Sequence, residues 1–171
     1  IILPGAMMNT AEIDLALNSF FAQASTAAGG NFDNLMIPFR CMATDMSEHR
    51  AVELSSGDLP LAIRASMALP VAFPPVVVDS VLMCDGGCYD NFPWRALEED
   101  FSPSFLIGSQ CLAENEPITQ ESSVEKQIMS LVTIPTDYSL PEGKGLIIKR
   151  EVTASLLDFK GGLSTIQQGY D

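Results

Sequence analysis

The chain has 171 residues, 47% of them hydrophobic, and its 22 acidic side chains against 9 basic ones give a formal charge of −13; that length and apolar content fit one domain around one core, not a disordered chain. The basic residues Arg40, Arg50, Arg64, Arg95, Lys126, Lys144, Lys149, Arg150 and Lys160 are scattered along the sequence, which argues against nucleic acid as a partner, because phosphate binding needs a concentrated cationic surface. No apolar run approaches the roughly 20 residues that cross a bilayer, and so acidic a chain is repelled by an anionic membrane except where a local apolar patch touches it.

In chain order, Asn9 with Glu12 three residues on predicts a helix start, and Ile13, Leu17, Phe20, Phe21 and Ala24 continue at helical spacing until Gly29-Gly30, so that one face is expected to be buried. Ile37 to Met46 alternates, with Ile37, Phe39, Cys41 and Ala43 on one side and Arg40, Met42 and Thr44 on the other, which predicts a strand. Ser55-Ser56-Gly57-Asp58 is turn chemistry, followed by a helix over Leu59–Leu69 capped by Asp58; Pro60 is tolerated in its first turn, Ala62, Ala65 and Ala68 permit close packing, and Pro70 ends it. After Pro74-Pro75, Val76–Val78 and Val81–Cys84 predict a hairpin through Asp79-Ser80, although Ser80 is a poorer residue than glycine where a tight turn needs positive φ. Asn91 and Pro93 open a short helix through Glu99, Phe105–Gly108 predicts a buried strand, and Val124, Ile128, Leu131 and Val132 mark another helix. A last strand is expected over Gly145–Arg150, and Ser164 as the cap of a terminal helical turn. Helices alternating with short apolar strands, without repeats or low-complexity stretches, indicate an α/β layered sheet and a single domain over residues 1–171.

Cys41, Cys84, Cys88 and Cys111 contain no Cys-x-x-Cys pair, and with His49 alone beside them they make no zinc pattern, so reduced structural thiols are expected. The strongest local feature is Cys84-Asp85-Gly86-Gly87. There an apolar strand ends in a carboxylate, followed by two residues whose lack of side chains lets the backbone turn sharply and a ligand approach. The tripeptide Asp85-Gly86-Gly87 is also an ordinary turn.

The surrounding sequence narrows that choice. DNLMIPFRCMATDM, SSGDLPLAIRASMALPVAFPPV and VLMCDGGCYDNFPWRAL, in that order, resemble the second half of the patatin-like phospholipase domain, and the terminal DFKGGLSTIQQGYD resembles that family's closing segment. The resemblance implies a three-layer α/β/α sandwich with a central sheet, incomplete at its N-terminus, and hydrolysis of lipid carboxylic esters by a serine–aspartate dyad. The family's aspartate matches Asp85, with Gly86 and Gly87 supporting the motif. Its partner is the serine of a Gly-x-Ser-x-Gly turn, and its oxyanion hole comes from an earlier glycine-rich loop. Neither occurs in these 171 residues: Ser66 falls inside a predicted helix, and Ser109 and Ser164 lack the second glycine. With the start at Ile1, the expectation is a C-terminal portion of the catalytic domain that supplies the aspartate and is inactive alone, because a serine hydroxyl needs both a base and fixed oxyanion donors.

The implied partners are a phospholipid or lysophospholipid ester, the N-terminal remainder of the same domain and, through the sheet edge its removal would uncover, a second copy; neither cofactor nor metal is expected. A cytoplasmic or membrane-peripheral protein fits the acidity and the thiols. The rival readings are a catalytically inactive patatin-like module that binds lipid or protein, and an unrelated α/β binding domain whose Asp85 does not sit at a strand end. Arg64 could steer an anionic head group, but an ion pair with a nearby carboxylate is the commoner use. His49 reads as an exposed loop residue, and Asp45, Asp79 and Asp90 as solvated turn residues, since no spacing resembles a calcium loop. Trp94 with Phe92 could wall an acyl site or pack helix against sheet, and Phe73 and Met67 are open in the same way.

Overall fold

The computed structural model describes residues 8–110, 118–149 and 162–170. Its centre is a four-stranded antiparallel sheet in the order β2-β1-β4-β3, formed by β1 (Cys41–Asp45), β2 (Arg50–Leu54), β3 (Val76–Val78) and β4 (Val81–Asp85). The mixed α/β architecture with helices around a central sheet is the one expected. Helix α1 (Ala11–Ala27) packs on α2 (Leu59–Ser66), and α2 lies against β1, β3 and β4. Ala62 and Ala65 are almost fully buried there beside Ala43, Leu59, Phe32, Met83 and Val78, because alanine lets the α2 backbone approach the sheet closely. The Asp58 side chain accepts from Leu61 N–H at 2.8 Å, as the cap predicted from sequence.

The 76–85 hairpin forms with Val78 opposite Val81. Asp79 and Ser80 take φ of 48° and 68°, the pair of positive values that a two-residue hairpin turn requires, so the strand twist overrides the preference for glycine at Ser80. Beyond β4, α3 (Trp94–Phe101) leads to β5 (Leu106–Gln110), which pairs in parallel with β6 (Gly145–Lys149); α4 (Val124–Val132) lies between them in sequence, as a parallel pair requires, and α5 (Gly162–Tyr170) follows.

Several expectations are corrected. The first predicted strand is shorter: Ile37 is 74% exposed and pairing begins only at Cys41. Strand β2 is an element the apolar pattern does not announce, because Arg50 and Glu53 interrupt it; it forms because β1 supplies five consecutive partners, Cys41–Asp45 against Leu54–Arg50. Helix α2 stops at Ser66, three residues before the predicted end. Only Leu106 and Gly108 of the predicted strand at 105–108 are buried; Ile107 is open. The buried face of α1 is partial: Ile13, Leu17 and Phe21 are half-buried while Phe20 and Ala24 are exposed. Asn9 accepts from Ala11 N–H at 3.0 Å just outside the helix, whose first-turn carboxylate Asp14 accepts from Thr10 Oγ1. Ser164 lies within α5 and not at its cap. Cys111, Arg150 and Lys160, on which expectations also fell, lie outside the described residues.

Arg40 ties this sheet to α3. Only 9% of its side chain is exposed, and it pairs with Asp33 at 2.8 Å, Glu53 at 3.1 Å and Asp100, with its guanidinium 4.6 Å from the centre of the Phe101 ring. Burial and a hydrogen bond shared with Asp100 hold the Glu53 carboxyl above the ordinary carboxylate range, whereas the hydrogen bond from Arg40 holds Asp100 below it.

Candidate active site

Asp85 is the last residue of β4, and its backbone is fixed from two sides: its N–H donates to Ala68 carbonyl oxygen at 3.0 Å, and its own carbonyl oxygen accepts from Thr44 Oγ1 at 2.9 Å. A single 3₁₀ turn over Gly86–Cys88 follows. Gly86 is buried against β1, where any side chain would collide with the Met42 backbone; at Gly87 a Cβ would stand 2.6 Å from Asn91 Oδ1 and 3.1 Å from Asp85 Oδ1. Both glycines are therefore dictated by crowding, and neither has a positive φ. The close approach predicted for this pair is made by the protein's own backbone and by Asn91.

The Asp85 carboxylate accepts one hydrogen bond, from Gly87 N–H at 2.8 Å, and among the described residues no lysine or arginine pairs with it. Burial pushes its pKa up; the Gly87 bond pulls the other way without cancelling that effect. A carboxylate so placed has an oxygen without a donor among the described residues and a proton affinity above that of an exposed aspartate. Those are the properties of a general base.

The thiols beside it are structural. Cys84 and Cys88 are both buried, and the hydrogen bond between them, with burial, holds Cys88 above the ordinary thiol range. Burial likewise pushes Cys41 up to about 12, against a weaker opposing hydrogen bond to Ser66. All three are free cysteines, as expected.

Asn91 does more than open α3. Its Nδ2 donates to Tyr138 Oη at 2.7 Å while its Oδ1 abuts Gly87, so the loop after α4 reaches the Asp85 turn through one amide. Ile134 N–H also donates to Cys88 carbonyl oxygen at 2.8 Å. Nothing in the local sequence marks Tyr138; its pairing spans 47 residues.

Other candidates fall elsewhere. Arg64 is buried and pairs with Asp14 at 3.0 Å, the ion pair that was the commoner expectation; it lines a cavity of about 610 Å³ between α1, α2 and β3 that also has Asp14 and Asp58 in its wall and does not include Asp85. His49 is exposed in the turn between β1 and β2 at φ 53°. Asp79 is an exposed turn residue, and half-buried Asp90 accepts from Phe92 N–H. Asp45 is a correction: it is 3% exposed, and it accepts from Ser47 and Glu48 N–H, bonds that hold its carboxyl below the ordinary range. Phe73 is in the core, with Arg64 stacked 5.5 Å from its ring centre. A second cavity, of about 250 Å³, lies between α3, β5 and the 138–140 loop; Phe92 and Trp94 both line it, and Asn91 stands at its edge.

Comparison with known proteins accords with this geometry. The family model described as patatin-like phospholipase matches residues 3–98, which include β1 to β4 and the Asp85 turn. Three relatives, one from Mycobacterium bovis and two from strains of Mycobacterium tuberculosis, are each described as an uncharacterized NTE family protein. Each is 41% identical over 61 residues, covering 36% of this chain and 17% of the relative. The matched stretch is thus about a sixth of each relative's length.

Proposed function

This chain belongs to the patatin-like phospholipase family, and from that premise we propose that the whole protein is a lipid acyl hydrolase, of phospholipase A or lysophospholipase character, in which Asp85 is the base of a serine–aspartate dyad. The observation that carries the reading is the Asp85 carboxyl itself: it sits at a strand end, unpaired by any described cation, braced by one N–H and raised in proton affinity by burial. The serine comes from polypeptide outside these 171 residues, which contain no Gly-x-Ser-x-Gly stretch. The serine oxygen attacks the ester carbonyl as Asp85 takes its proton; the tetrahedral oxyanion then collapses, and the proton goes to the departing alcohol. Water enters next, Asp85 takes one of its protons, and attack on the acyl-serine releases the fatty acid and restores the hydroxyl. A base of raised pKa serves this sequence better than an ordinary aspartate, because proton transfer is most effective when the base's pKa approaches the working pH.

The test uses the full-length natural protein. A fluorophosphonate probe is expected to label it, and Asp85→Asn to lower ester turnover on the order of a hundredfold to ten-thousandfold, the usual contribution of a positioned base. The 171-residue chain alone is expected to stay unlabelled. Wild-type turnover in the Asp85→Asn protein would overturn the assignment, and a full-length protein that binds lipid vesicles yet neither labels nor turns over ester would point to the inactive binding module instead.

A further inference from the structure

The segment between α4 and β6 reaches back to the Asp85 turn and is pinned there at two points: Ile134 N–H donates to Cys88 carbonyl oxygen at 2.8 Å, and Tyr138 Oη accepts from Asn91 Nδ2 at 2.7 Å. Asp137 accepts from Ser139 N–H at 2.9 Å, a side-chain turn that fixes the backbone on both sides of Tyr138. The half-buried Tyr138 ring stands 5.6 Å from that of Phe92. Phe92 is seated in turn on β5: a Cβ on Gly108 would come within 2.8 Å of Phe92 Cε2, so glycine at that point lets the ring lie over the strand. The other end of the Asn91 amide is its Oδ1, and a Cβ on Gly87 would stand 2.6 Å from it and 3.1 Å from Asp85 Oδ1. An unbroken series of contacts thus runs from Tyr138 through Asn91 to Gly87, whose N–H is the donor that Asp85 Oδ1 receives.

We propose that Tyr138 is a positioning residue of the active site: it holds the Asn91 amide against Gly87, so that the Gly87 N–H stays aimed at one Asp85 oxygen and leaves the other to act as base. The proposal rests on the reading of Asp85 given above, and it adds a side chain that lies beyond residue 98, where the family match ends. Asn91 is exposed, and an exposed amide left to itself moves among rotamers; a hydrogen bond to a hydroxyl whose ring is already packed removes that freedom. Without it Gly87 loses the atom packed over it, and its peptide can turn the N–H away. The carboxylate then loses the bond that favours its charged form, so its pKa rises further while its oxygens are no longer held in one orientation. Misalignment of a base costs turnover more than substrate binding. On its own strand and turn Asp85 has the Cys84 and Cys88 thiols and Asp90 as titratable neighbours, and β1 brings the Cys41 thiol. The charged groups of β1, β2 and α2 are engaged elsewhere, Asp45 with Arg50, Glu53 with Arg40 and Arg64 with Asp14. The substitutions that test Tyr138 leave all of these in place.

Tyr138→Phe in the full-length protein removes the hydroxyl and keeps the ring on Phe92. In hydrolysis of p-nitrophenyl esters it is expected to lower kcat on the order of tenfold, a part of what a positioned base contributes, with KM changed less than about twofold. The acid limb of kcat against pH is expected to move up by about half a unit, and exchange of the Gly87 amide proton, followed by NMR, to speed up about tenfold. Asn91→Ala is expected to do the same, and the double variant to be no worse than Asn91→Ala alone, because the hydroxyl acts only through the amide. Unchanged Gly87 exchange in folded Tyr138→Phe overturns the proposal, as do effects of the two substitutions that add, or a loss confined to melting temperature. Should Tyr138→Phe not fold, the exchange and the acid limb in Asn91→Ala decide in the same way. A full-length protein that hydrolyses no ester, yet whose Gly87 exchange and carbon-13 titration of the Asp85 carboxyl both shift in Tyr138→Phe, keeps the bracing of Asp85 and removes the dyad, so the two claims fail separately.

Discussion

Asp85 illustrates how a buried carboxyl is held at a cost to stability. Burial raises its pKa above the unfolded value, so the folded chain keeps this proton to higher pH than the unfolded chain does. Folded stability from this group is therefore greatest below the ordinary carboxylate range and falls as pH rises from there through the raised value. Asp85→Asn keeps an acceptor for Gly87 N–H and removes the buried charge. Its melting temperature at pH 7 is expected to exceed that of wild type, with the difference closing in acid where the wild-type carboxyl is neutral; calorimetry from pH 3 to 8 checks the sign. Gly86 is constrained by space. In Gly86→Ala the new methyl meets the Met42 backbone, which cannot swing aside as a side-chain tip can, and the expected loss is about 1–3 kcal/mol in urea unfolding, the usual cost of overpacking.

At the scale of elements, capping and small residues dock α2, charge fixes α3, and two hydrogen bonds, Asn91 to Tyr138 and Ile134 to Cys88, join the later loop to the Asp85 turn. Arg40 gathers Asp33, Glu53 and Asp100, so its removal leaves Glu53 and Asp100, joined by a hydrogen bond, without their shared cation. Arg40→Met is expected to destabilise by about 2–4 kcal/mol, near the lower end for breaking a buried pair because its partners are partly exposed; urea melts at pH 7 measure it, and a loss under 1 kcal/mol would show the cluster to be ornamental. Asp45 works within the β1–β2 hairpin. Its bonds to Ser47 and Glu48 N–H depress its pKa, so its support for that turn is present above the ordinary carboxylate range and fades as pH falls through the depressed value.

At the scale of the molecule, the central sheet is covered by α2, but the parallel pair β5–β6 has one open face. Phe105, Ile107, Leu146 and Ile148 are all about half exposed or more, whereas parallel strands are ordinarily buried on both faces. Such an exposed apolar surface recruits another chain. The 171-residue chain in isolation is therefore expected to self-associate in size-exclusion chromatography with light scattering, and a clean monomer at high concentration would contradict this. Among the described residues no helix is long and apolar enough to cross a membrane.

The sequence by itself determined what depends on neighbours a few residues apart: the Asp58 cap, the two-residue hairpin after β3, the start of α3, and a carboxylate at the end of β4 followed by two residues without side chains. Caps, turns and periodicity are local balances of hydrogen bonding, φ and side-chain spacing, and they are written in order along the chain. Only the tertiary structure decided what arrives from far away. Strand β2 has too few apolar residues to declare itself and exists because β1 is beside it; Asp45 looks like a solvated turn residue until the turn folds over it. Arg64 finds Asp14 across 50 residues, Asn91 finds Tyr138 across 47, and Phe92 closes over Gly108 to shape a cavity. A pattern of apolar positions tells which face seeks burial, but the partner on that face is chosen by packing geometry, which no stretch of ten residues contains.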